Sequence, residues 1–392
     1  MKIQEALGIP DNFTQCAREV KKAVVASIGD LKTTHSNFKT NIKDLDMRIV
    51  SDSKEIIINE INLLVSIKDK KIPNNNSPCK ITGTSVTGKD IFVDGRSVST
   101  ASPNILDLTF QVTLDSSRCS KQDLQNCFKN YPLIEFTHEL KHKFDLVARS
   151  SMLAKNMAQY QSITNSLKNR DDLTSFRPFF EFLLKSYFSH NIEMSVRAVE
   201  IKAQMEEENV TKANFYKFLF DTKSFQFIRS CRDYSFGQFI GGIKSNLDDV
   251  QQILSNRSLN NLNEQEQIKE LLKLFHRHLI NALEESMVRL LSAEEHRYSI
   301  PSAEFSKNEN KIDFFEKFKK EANKFVGREE EFFKKACKQI SEQGLKAFKK
   351  IAKLYALAES LDEDCPGYGF TVTEEEEDFQ LTFAEYFRRS FE

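Results

Sequence analysis

Hydrophobic and polar positions alternate along residues 105–114. Leu106, Leu108, Phe110, Val112 and Leu114 are apolar, while Asp107, Thr109, Gln111 and Thr113 between them are polar. A period of two gives a strand with one dry and one wet face. Upstream, Ile56-Ile57-Ile58 and Leu63-Leu64-Val65 are runs of strand formers, closed by the turn-like segment 71–78. Residues 81–86, Gly88-Lys89-Asp90 and 91–93 read as a β-hairpin. The pattern predicts about four strands within 50–115, arranged as a small antiparallel sheet.

On either side the pattern is helical. Residues 1–45 read as a polar helical segment, with weak periodicity from Asp30 to Lys43. A long helix is predicted over 122–151, interrupted at Pro132. Between 176 and 240 phenylalanines recur, Phe179, Phe182, Phe215, Phe225 and Phe239 among them, as a core-facing stripe. Residues 247–291 read as two helices around a polar connection at 255–266, and 311–360 as an amphipathic helix or helical pair. The fold class expected is therefore α+β, mostly helical. Three parts are delimited: an N-terminal segment 1–45, a central domain 46–240, and a helical C-terminal region 241–392.

Composition supports this and removes several functions. The chain has 392 residues, with only 12 glycines and 8 prolines, which disfavours glycine-rich nucleotide folds and turn-dense β folds. Its 56 basic and 57 acidic residues nearly cancel, so no bulk attraction to nucleic acid or membrane is expected. Seven cysteines are scattered without a C-x-x-C pair and read as free thiols in a reducing compartment. No apolar run approaches the roughly 20 residues that span a bilayer, and no export signal is evident, so a cytoplasmic protein is expected. The acidic run 374–378 reads as a solvated stretch. Phosphate-loop motifs are absent, and no serine or cysteine stands in a nucleophile signature. His276 and His278 are two apart on a predicted helix, so their rings diverge by about 160°, and a solvated face is expected there.

One motif carries chemistry. Residues 138–142 read His138-Glu139-Leu140-Lys141-His142, an H-E-x-x-H. Histidines four apart lie on one helix face and can reach a single metal ion, with the intervening glutamate beside it. Composition alone would produce such a match at roughly the 1% level. The flanking pattern adds context. Leu133, Phe136, Leu140, Phe144 and Val147 form an apolar stripe, and His138, His142 and Asp145 a separate face. Asp145 is placed to orient a ligand histidine; a salt bridge is its plain alternative.

On these residues the chain resembles the zincin metallopeptidases. The resemblance implies a small sheet over an active-site helix, a Zn2+ cofactor, and hydrolysis of peptide bonds in a protein or peptide substrate. It further implies that Glu139 activates the zinc-bound water, acting as an endopeptidase rather than an exopeptidase. Strand 105–114 becomes either the edge that binds extended substrate or a plain core strand. The metzincin extension fails, because Asp145 and Ala148 stand at its glycine and histidine positions. A gluzincin-like arrangement takes its third ligand from a later helix, and Glu193 fits, with Glu200 in reserve. Arg197 and Glu200 are then candidates to pair with or orient it, and His190 and Tyr187 to steady an oxyanion. The same features resemble metallopeptidases of tailed phages, which implies a host-cytoplasmic or virion location and a C-terminal region used for virion docking or self-association. The competing class is a helical structural or interaction protein, such as a virion component, in which H-E-x-x-H is inert or holds a structural metal.

Overall fold

The computed structural model describes residues 12–29, 36–51, 54–86, 104–148, 162–211, 214–295, 320 and 323–360. It is an α+β fold, mostly helical. Helix α1 (Phe13–Gly29) leads into β1 (Phe38–Ile42), the hairpin pair β2 (Met47–Ser51) and β3 (Lys54–Ile58), then β4 (Glu60–Asp69), β5 (Cys79–Val86) and β6 (Ile105–Leu114). Helices α2 (Lys121–Lys129), α3 (Leu133–Ala148), α4 (Asp172–Ser175), α5 (Arg177–Phe188) and α6 (Asn191–Glu207) follow. The chain continues through α7 (Phe215–Asp221), α8 (Lys223–Arg232), α9 (Phe236–Lys244), α10 (Leu247–Ser255), α11 (Glu264–Glu295) and α12 (Glu329–Ser360).

The four-stranded sheet has the order β1-β4-β6-β5. It is mixed rather than antiparallel as expected, because β6 runs parallel to β4 and antiparallel to β5. Strand β5 returns one strand-width away from β4, and β6 fills the gap between them. Strand β6 is thus a core strand hydrogen-bonded on both sides, which removes it as a substrate-binding edge; among the described residues the outer strands are β1 and β5. The predicted second arm of a hairpin at 91–93 lies outside the described residues. At the other edge, Phe38–Ile42 is a strand where helix was expected. Pairing with β4 (Phe38 opposite Val65, Ile42 opposite Ile61) overrides the weak local pattern.

Helix α2 starts at a capping box: the Ser120 hydroxyl accepts from the Asp123 amide, and the Asp123 carboxylate accepts from the Ser120 amide. Pro132 then separates α2 from α3. The apolar stripe of α3 is buried as its period requires, with Leu133, Phe136, Leu140 and Phe144 all under 7% exposed. Phe136 meets Phe110 of β6 at 5.7 Å between ring centroids, and Phe13 of α1 meets Phe144 at 6.3 Å. Sheet, α1 and α3 therefore share one core. The phenylalanine-rich stretch is a second focus of that core. Phe179 stacks on Phe275 at 3.8 Å, and Phe239 and Phe333 pack against Phe182.

A single cluster of buried apolar residues runs from Phe13 to Ile351, across the 240/241 boundary. Helix α12 lies on α8 and α6. Helices α12 and α8 approach closely at Gly344, where an added Cβ would come within 2.8 Å of Arg232 Cα and the Cys231 carbonyl carbon. Nearby, the Ser341 hydroxyl donates to the Arg232 carbonyl at 2.6 Å, and the Arg232 guanidinium covers Phe348. His276, expected on a solvated face, is 2% exposed, with its ring 4.6 Å from Phe332. No helix among the described residues is long and apolar enough to cross a membrane. Gly344→Ala should overpack the α8–α12 contact and lower stability by about 1–3 kcal/mol in urea unfolding, although alanine is the better helix former.

Candidate metal centre

Helix α3 packs its apolar stripe inward, so the opposite stripe delivers His138 and His142 together. The two Nε2 atoms are 2.9 Å apart, with the rings nearly perpendicular at 80°. Helix α6 crosses against α3 and supplies Glu193 from its first turn, where a carboxylate complements the helix N-terminus. Its oxygens lie 3.8 Å from His138 Nε2 and 3.7 Å from His142 Nε2. Donor atoms about 2.0–2.1 Å from a tetrahedral metal are about 3.4 Å from one another. The observed separations bracket that figure, so the three side chains fit one metal ion with little movement. Among the described residues this is the one such group of histidine, cysteine or carboxylate donors.

Glu200, one face-repeat beyond Glu193 on α6, fixes the outer nitrogen of His138. Its carboxylate accepts from His138 Nδ1 at 2.7 Å and from Arg197 Nη1 at 3.0 and 3.1 Å. The Ser224 hydroxyl of α8 donates to the same carboxylate. An ionised carboxylate can only accept, so Nδ1 carries the proton and the Nε2 lone pair is left toward His142 and Glu193. Burial alone would raise the Glu200 carboxyl. The His138 hydrogen bond and the Arg197 charge outweigh it and hold the group down at about 2. Burial likewise pulls His138 down, yet the Glu200 contact leaves it above its ordinary value.

Glu139 points elsewhere. It is 6% exposed, and its Oε2 accepts the Val86 amide of β5 at 2.7 Å. Glu139 is therefore held by strand β5 and stands outside the group of three donors.

Arg197 does orient, but through Glu200 onto His138, with its guanidinium over the Phe188 ring. Glu200 is not a reserve ligand, because it occupies the nitrogen of His138 on the far side of the ring from the metal position. The side chain of Asp145 lies outside the described residues. His190 is the N-cap of α6; burial pushes it below its ordinary value, against the charge of Glu193. It lines a cavity of about 490 Å3 together with His276. Tyr187 is half-buried at the end of α5, its ring edge-on to Phe188. Sequence reasoning missed Ser224 and Val86. Neither could be found locally, since one acts through its hydroxyl from a third helix and the other through its amide.

Glu200→Gln keeps the shape and removes the charge, and should weaken metal binding about 10–100-fold in chelator competition. Without metal, Glu200 stabilises the fold above its ordinary 4.5, and that contribution is lost as pH falls toward 2. The stability gap between wild type and Glu200→Gln should therefore be full at neutral pH and close in that acid window. No protein-family model, curated protein or solved structure matches the chain.

Proposed function

We propose that the chain is a zinc-dependent endopeptidase. The observation that carries this is Glu139, a buried carboxylate that follows His138 in sequence, acts on its charge and is held by strand β5, next to the convergent donors of His138, His142 and Glu193 without being one of them. Two imidazoles and one carboxylate with no thiolate are a donor set suited to catalytic zinc. The same donors suit ferrous iron. Glu139 favours hydrolysis, since it provides a proton acceptor that is not itself a ligand. A zinc ion held there supplies Lewis acidity, polarising a carbonyl and bringing the pKa of water to about 7.

The residues of the chain do the rest. Glu139 accepts a proton from the attacking water and returns it to the leaving amine, with Val86 fixing one of its oxygens. Glu200 keeps His138 in the tautomer that presents Nε2. Among the described residues strand β5 is an outer strand of the sheet, and its last residue, Val86, donates to Glu139, so an extended polypeptide laid along it would bring a scissile bond to the site. This geometry favours a protein substrate cut internally.

Glu139→Gln should retain about one zinc per chain by elemental mass spectrometry while peptide hydrolysis falls by a factor of about 100–10,000. His138→Ala should lose the metal. No metal after zinc is supplied and the excess removed, or unchanged hydrolysis in Glu139→Gln, would overturn the proposal. Zinc bound with no hydrolysis of any unfolded protein would leave a structural metal in an interaction protein.

A further inference from the structure

Between β5 and α2 lies an open depression of about 410 Å3 whose lining includes Cys79, Lys80, Ile81, Asp123, Cys127 and Tyr131. Cys79 is the first residue of β5 and is 3% exposed. Its thiol donates to the Asp123 carbonyl at 3.3 Å. Asp123 is one helical turn before Cys127 on the same face of α2, so Cys79 and Cys127 face the same depression from its two sides. The Ile81 amide also donates to the Cys127 sulfur. The neighbouring Cys79 side chain and the Ile81 backbone draw the Cys127 thiol below its ordinary value against the effect of burial. Cys79 moves the other way, through the nearby Cys127 and through burial.

Cys16, Cys231 and Cys337 lack this environment. Burial pushes Cys16 up to about 11, and Cys231 and Cys337 up to about 12. Such groups stay protonated and react slowly. Cys127 is also only half-buried, whereas Cys16, Cys231 and Cys337 are buried.

From this cluster we propose that Cys127 and Cys79 form a peroxide-reactive dithiol, with Cys127 attacking and Cys79 resolving. The Cys127 thiolate attacks one peroxide oxygen; an S–O bond forms, the O–O bond breaks, and the departing hydroxide takes a proton to leave as water. The Cys79 sulfur then attacks the Cys127 sulfenic acid. An S–S bond forms, the S–O bond breaks, and the hydroxyl leaves as water with the Cys79 proton. The two cysteines are together oxidised by two electrons and the peroxide is reduced by two. The product ties the start of β5 to the last turn of α2. Nothing in this chemistry depends on a metal at His138 and His142. Cys119, buried and also in contact with Cys79, is the competing partner.

The full chain would be treated with a small excess of hydrogen peroxide, quenched with an alkylating reagent and mapped by peptide mass spectrometry. The expected result is a Cys79–Cys127 linked peptide, with Cys127 lost at least about tenfold faster than Cys231 or Cys337. Cys79→Ser should instead accumulate a dimedone-reactive Cys127, and Cys119→Ser should behave as wild type. Cys127 loss no faster than that of the buried thiols, or a Cys79–Cys119 link in place of the expected one, would overturn the proposal. The rate comparison uses the wild-type chain and holds even where a variant fails to fold.

Discussion

The hydrogen bond from His138 Nδ1 to Glu200 joins three helices at once. Glu200 belongs to α6, His138 to α3, and the Ser224 hydroxyl that completes the carboxylate's shell comes from α8. A buried carboxylate without partners would be costly, so the stable arrangement is the one in which all three elements meet. Arg197 supplies the balancing charge from one turn back on α6, itself packed over Phe188. Because α6 is held to α3 at Glu200, its first turn brings Glu193 to the two histidines. The donor set is thus a consequence of a polar network about two turns of helix away.

The same network sets how the donor group behaves without metal. Glu200 raises the proton affinity of His138 while blocking its Nδ1 from any other role. The two Nε2 atoms face each other at 2.9 Å, a distance at which one ring must donate and the other accept. A proton shared there occupies the position a metal would take, with Glu193 alongside to balance the charge. Metal binding must displace it, so protons and metal compete for one site.

Much of this was legible along the chain because it is local. The H-E-x-x-H spacing places two rings on one face whatever the rest of the fold does, and the Leu133, Phe136, Leu140 and Phe144 stripe decides which face is turned inward. Alternation identified β6, yet could not say whether its neighbours run parallel, since period two is shared by both arrangements. Glu193 entered through resemblance to a family pattern, and its place among the donors emerges only from packing of α6 on α3. Glu200 was visible as a candidate but with the wrong job. Its distance from Glu193 along α6 does not reveal which nitrogen of His138 it meets. The local pattern of Phe38–Ile42 does not reveal a strand, because a five-residue strand takes its stability from β4 rather than from its own pattern.

The C-terminal helix illustrates how far the site's support extends in sequence. Helix α12 contributes no donor to the metal group, yet it covers α8 along the stretch that carries Ser224, Phe225 and Arg232. The absence of a side chain at Gly344 lets the two backbones approach closely enough for Ser341 to bond the Arg232 carbonyl. Phe348 at the same time packs against Phe225, the residue next to Ser224. Helix α8 in turn presents Ser224 to Glu200, and Glu200 orients His138. A path of direct contacts therefore runs from Gly344 to a candidate metal ligand more than 200 residues earlier. Residues 329–351 are accordingly part of the frame that holds the donors, and whatever else the C-terminal region does, it does from that position.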